Sequence, residues 1–225
     1  MIPKRPLLLL VMVALLALTG SQCVFVASSG NNNSCKSTNN DPCDAKQNNG
    51  SGTVVVVKTG QLIDAPVQGV RYVSGSVSGV TGDAGEFQYE EGGTIHFYIG
   101  DIALGNAVRG KAVITPLDLI SGGTIDTPAV INIARLLQSL DAIPDDHMIT
   151  IPAALHTMTN RSNATVSTAI QYLDFSDNTA FVNAATQLVS TLTASYPFTA
   201  VLVDAASARN HLAKSLDELA KTSAP

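Results

Sequence analysis

The ten residues Val80-Thr81-Gly82-Asp83-Ala84-Gly85-Glu86-Phe87-Gln88-Tyr89 limit what this chain can become more than any other stretch. An Asp two residues before a Gly can bond the backbone of its own turn, and Gly accepts the positive φ that a tight turn demands. Directly afterwards Phe87 and Tyr89 fall on one side of an extended segment, with Glu86, Gln88 and Glu90 on the other. That alternation is the period of a strand with one face in a core. A turn of this kind feeding such a strand predicts antiparallel β-structure.

The flanking sequence extends the pattern. The β-branched run Val54 to Val57 predicts a strand, and Pro66 and Gly69 punctuate the turn region that follows it. Arg71-Tyr72-Val73-Ser74 and Ser76-Val77-Ser78-Gly79-Val80 continue in extended form, and the Gly92-Gly93 turn leads into Thr94-Ile95-His96-Phe97-Tyr98-Ile99. Short strands at this spacing, punctuated by Gly, predict an antiparallel sandwich or a partly open barrel over residues 53–120. Pro66, Gly69-Val70 and Thr81-Gly82-Asp83-Ala84-Gly85-Glu86-Phe87 resemble the turn and strand pattern of carboxypeptidase regulatory-like and transthyretin-like β-sandwich domains, with Gly82 inserted between the Thr and the Asp. The longer run through Gly100-Asp101-Ile102-Ala103-Leu104-Gly105 and Ile114-Thr115-Pro116-Leu117-Asp118-Leu119 is similar to a recurrent, mostly uncharacterised module of exported bacterial proteins, some labelled lipoproteins or adhesin-like. The resemblance implies a sandwich and speaks to fold more than to activity.

Beyond residue 120 the period changes. Thr127 and Pro128 suit the start of a helix, and Val130, Ile133, Ala134, Leu137 and Leu140 recur at three and four to give one apolar stripe, widened by Ile131 and Leu136. Weaker helical patterns cover Ala164 to Leu173, Thr179 to Thr193 and Asp204 to Leu219, the last capped by Asp204. The expected fold class is therefore α+β, an N-terminal β-sandwich followed by a helical part over 121–225 that packs on it.

The N-terminus reads as an export signal. Lys4 and Arg5 precede an apolar run from Leu7 to Leu18, and small residues follow, which is too short a run to span a bilayer of about 20 apolar residues. Cys23 stands where bacterial lipoproteins carry their acylated cysteine, with Gly20 and Gln22 in the places usually held by Leu and by Gly or Ala. Two routes follow: cleavage and lipidation at Cys23, making residues 1–23 the signal, or an ordinary cut near Val26-Ala27-Ser28 that releases the protein. Residues 24–52 are mostly Asn, Ser, Gly, Lys, Asp and Thr without apolar period, the composition of a disordered tether. Within it Cys35 and Cys43 are close enough to pair, and in an oxidising envelope a disulfide is favoured over zinc because no His completes a ligand set.

Charge and motifs narrow the function. The formal net charge is −5, and without Lys4 and Arg5 the balance is 11 bases against 18 acids. Such a chain lacks the basic surface that neutralises phosphates, so nucleic acid is not an expected partner. Acidic residues gather at Asp83, Glu86 and Glu90, weak candidates for a metal, but their spacing is not that of an EF-hand. Asp141, Asp145 and Asp146 form a second acidic loop, while His96, His147, His156 and His211 are scattered without ligand spacing. Gly75-Ser76-Val77-Ser78-Gly79 places Val at the centre of a would-be hydrolase elbow, and phosphate-loop and dinucleotide fingerprints are absent. The expectation is an exported, non-catalytic protein of the cell envelope (outer membrane or periplasm) or the extracellular space, without a cofactor. It would present a binding or adhesion surface to an envelope or extracellular protein or glycan, and Cys23, if acylated, would hold it to the membrane. Alternatives are an enzyme accessory or hydrolase using an acidic loop, and a structural lipoprotein of a larger envelope assembly.

Overall fold

A computed structural model describes residues 55–222 except 145 and 160–162. In chain order the elements are β1 (Val57–Leu62), β2 (Val67–Gln68), β3 (Arg71–Ser74), β4 (Val77–Val80), β5 (Glu86–Glu90), β6 (Thr94–Ile99), β7 (Ile102–Ala103), β8 (Val108–Arg109), β9 (Val113–Ile114), α1 (Pro128–Ser139), β10 (Ile149–Thr150), α2 (Ala153–Met158), α3 (Ala164–Tyr172), α4 (Asn178–Leu192) and α5 (Ala205–Thr222). The protein is α+β, with a β-rich N-terminal part and a helical C-terminal part. Strand β1 lies between β5, antiparallel with Val57 opposite Glu90, and β9, parallel with Gln61 opposite Val113. A second sheet runs β4-β3-β6-β7, with β8 also on β6, and β10 pairs in parallel with β2.

The alternation read from the sequence sets the core. Phe87 and Tyr89 of β5 are buried while Glu86 and Gln88 are exposed, and Ile95, Phe97 and Ile99 of β6, in the second sheet, are buried as well. The Phe87 ring meets Phe97 edge-on at 5.2 Å and lies 6.1 Å from Tyr72, so the two sheets share one aromatic centre. The first strand begins at Val57 and runs to Leu62; Val55 and Val56 lie outside it and are exposed, and Val54 is outside the described residues.

The Asp83 turn is present, with one change of part. Gly85 takes φ +75°, and its N–H donates to Gly82 O at 2.9 Å. The carboxylate that accepts a turn N–H is that of Glu86, from Ala84 at 2.8 Å; Asp83 instead accepts from Gln68 Nε2 at 2.5 Å. The Gln68 side chain reaches Asp83 from a neighbouring strand, which no local spacing encodes.

Helix α1 is buried on two sides. Ile133, Leu136 and Leu137 join the core cluster containing Phe87 and Phe97, while Val130, Ile131 and Ala134 form a second cluster with Ala208 and Leu212 of α5. Pro128 occupies the first turn as expected, but the Thr127 hydroxyl accepts from Thr124 N–H at 2.9 Å and leaves the helix N–H groups alone. Asn163, Asp177 and Asp204 do cap α3, α4 and α5, each accepting two N–H bonds. Short α2 was not expected, because only Leu155 of its six residues is buried and no apolar period betrays it.

Candidate functional site

Two places combine buried structure with exposed polar chemistry. The first is a groove of about 730 Å³ where the loop after β7 faces the α3–α4 connection. Leu173 and Phe175 contribute apolar surface to it, while Asn106, Gln171, Tyr172 and Asp174 are exposed around it, Tyr172 at 65%. Phe175 is anchored twice, its carbonyl accepting from Asn132 Nδ2 at 3.0 Å and its ring tilting onto Phe181 at 5.6 Å. Asp174 accepts from the Ser176 hydroxyl at 2.6 Å and N–H at 2.8 Å, and these bonds hold its carboxyl below the usual range. The side-chain amides of Asn106 and Gln171 and the Tyr172 hydroxyl have no hydrogen-bond partner among the described residues. No Lys or Arg lines the groove.

The second place is the junction of the β1–β2 turn, α1 and α5. Asp64 follows β1 with its side chain fully buried, and next to it Ala65 adopts φ +56°, uncommon for a residue other than Gly. Asp64 Oδ1 accepts from His211 Nδ1–H at 3.1 Å and Oδ2 from Gln138 Nε2 at 2.9 Å. One turn beyond His211, Ser215 Oγ accepts from Ala65 N–H at 2.9 Å and donates to His211 O at 3.2 Å. The hydrogen bond to Asp64 raises the His211 pKa above its ordinary value, against the opposing effect of burial. Burial likewise raises the neighbouring Asp141 carboxyl, which accepts from Thr150 and Ile143 N–H groups at 2.9 and 3.1 Å. A carboxylate on His Nδ1 is the arrangement that orients a general base. The hydroxyl nearest in sequence, on Ser215, is committed to backbone groups.

The acidic residues singled out from the sequence go to separate partners. Asp83 bonds Gln68, Glu86 bonds Ala84 N–H, and Glu90 accepts from Ser76 N–H at 2.6 Å and its hydroxyl at 2.7 Å, which lowers the Glu90 carboxyl. Among the described residues no group of three or more His, Cys, Asp or Glu is placed to hold a metal ion. In the second acidic loop Asp146 accepts from Met148 N–H, and Asp145 is outside the described residues. Cys23, Cys35 and Cys43, the lipidation and disulfide candidates, lie outside them too. His156 is structural: Nδ1 accepts from Gly100 N–H at 2.9 Å and Nε2–H donates to Gly69 O at 2.7 Å. Sequence reasoning missed the Asp64–His211 pair because 147 positions separate its members; the available signal was an acid placed directly after the apolar Leu62-Ile63.

No family model and no solved structure matches the chain. A protein of Escherichia coli (strain K12) with the provisional name lipoprotein AcfD homolog is 36% identical over 80 residues, 33% of this chain and 5% of that protein. The chain thus spans a small fraction of the curated relative it matches. Among the described residues no helix is long and apolar enough to cross a membrane.

Proposed function

We propose that this is an exported, envelope-associated binding protein, non-catalytic, held to a membrane through Cys23 and presenting the groove beside Tyr172 to an envelope or extracellular partner. The observation that carries the reading is the groove itself: two exposed amides and an exposed phenol stand around an apolar floor, the composition of a recognition site. The export signal, the polar tether and the lipoprotein name of the partial relative support the tethered location. The absence of bases from the groove and the net charge of −5 turn it away from phosphate-rich partners. For the β-rich part, the aromatic contact between the two sheets supports a regulatory-like sandwich.

The test is capture from envelope and extracellular fractions with the wild-type chain and with a Gln171→Ala, Tyr172→Ala variant of unchanged circular dichroism. A partner retained by the wild type and weakened about tenfold or more in the variant supports the reading. Equal retention by both removes the groove from it. Intact mass of the purified protein and of Cys23→Ser reports the anchor: an acyl mass present only in the wild type is expected, and an unmodified mature chain beginning after residue 26 would exclude it.

A further inference from the structure

The Asp64–His211 pair has a role that ligand binding in the groove does not use. Helix α5 packs along α1, where Gln138 Nε2 donates to Ala208 O at 3.4 Å, and is held further by a set of side-chain contacts. Ala208 and Leu212 enter the apolar cluster on α1, and Arg209 forms an exposed ion pair with Asp126 at 2.6 Å. The fully buried member of its polar contacts is Asp64, gripped by His211 from α5 and by Gln138 from α1, while Ser215 ties α5 to the backbone of the positive-φ Ala65. The β1–β2 turn, α1 and α5 therefore meet on one carboxylate.

We propose that Asp64 and His211 form a proton-gated clasp that seats α5 on the body of the protein, tight while His211 is protonated and loosened as it loses that proton. The charged groups facing His211 are Asp64 on the β1–β2 turn, Asp141 beyond α1 and Lys214 on its own helix; the acids favour the imidazolium and Lys214 opposes it. Gln138, from α1, is uncharged and holds the other Asp64 oxygen. Because folding raises the pKa of His211, its contribution is fully present below the unfolded value of about 6.5 and is lost as pH rises through the higher folded value. The neutral ring still donates Nδ1–H to Asp64, so deprotonation weakens the seat of α5 without abolishing it.

Hydrogen exchange of the full chain, followed at about pH 6 and about pH 8.5 with correction for intrinsic rates, tests the clasp. Protection of the α5 amides should fall about three- to fivefold more than that of α4 over this range. In His211→Gln, whose amide can reach Asp64 but does not titrate, the extra fall should vanish. The proposal is overturned if wild-type α5 and α4 respond alike, or if the variant shows the same extra fall. Should His211→Gln fail to fold, NMR titration of the wild-type ring decides: His211 titrating above the ordinary imidazole value of about 6.5 supports the clasp, and titration at or below it overturns the proposal.

Discussion

At the scale of single residues, the turn between β4 and β5 works mainly through Gly85. Its φ of +75° disfavours any L side chain, and a Cβ built there would stand 2.5 Å from Leu62 O and 3.0 Å from Val67 N. Gly85→Ala should therefore cost about 2 kcal/mol or more, measured by urea unfolding. Asp83→Ala, by comparison, removes one exposed side-chain bond to Gln68 and should cost less than about 1 kcal/mol. The reverse ranking would return the turn to Asp83. The need for Gly was legible, because a tight turn has few chemical solutions. The exchange of Asp83 for Glu86 as the acceptor was not, because it depends on where Gln68 arrives in space. Asp64 was invisible for the same reason, and truncating it is a sharper test. Asp64→Ala leaves the Gln138 amide only its long bond to Ala208 O and turns the part-exposed His211 ring to water, so a loss of about 1 to 2 kcal/mol is expected by the same unfolding measurement.

At the scale of elements, legibility followed burial. Helix α1 and strands β5 and β6 were readable because their apolar faces repeat at the proper period, whereas α2 buries one side chain and left no trace. The caps of α3, α4 and α5 are local chemistry, and removing one should act locally. Asp177→Ala should lower stability by about 1 kcal/mol in thermal or urea unfolding and speed exchange first at the start of α4. Helix α5 should respond to pH at both ends of the scale. Hydrogen bonds from Ser207 lower the Asp204 pKa, so the cap contributes above the unfolded Asp value of about 3.9 and is lost as pH falls through the folded one. His211 withdraws its contribution as pH rises. Exchange protection of α5 should thus pass through a maximum on the acid side of neutrality, and Asp204→Asn should flatten its acid limb alone.

At the scale of the molecule, the apolar clusters on either side of α1 tie the two sheets to the helices. Leu62, Phe87, Ile133, Leu188 and Leu192 belong to one buried cluster, so the β-rich and helical parts do not have separate cores. Residues 55–222 should unfold in one transition, with aromatic near-ultraviolet signals and helical circular dichroism coinciding; two resolved transitions would show independent parts. Ile133→Ala, at the middle of α1, should lower both signals together and cost about 2 to 5 kcal/mol. The two-part order of strands and then helices was legible from the change of period, but the sharing of a core was not, since apolar stripes do not name their partners. The groove was hidden for a related reason: the loop after β7 and the end of α3 lie more than sixty positions apart in the chain. The junction at Asp64 also dictates an order of events. A ribosome delivers Asp64 147 residues before His211, so a nascent chain holds an unclosed polar gap over that whole stretch of synthesis. Until α5 docks, the polar site prepared by the β1–β2 turn and α1 around Asp64 stays open, so closing it is a long-range event and not one of local folding.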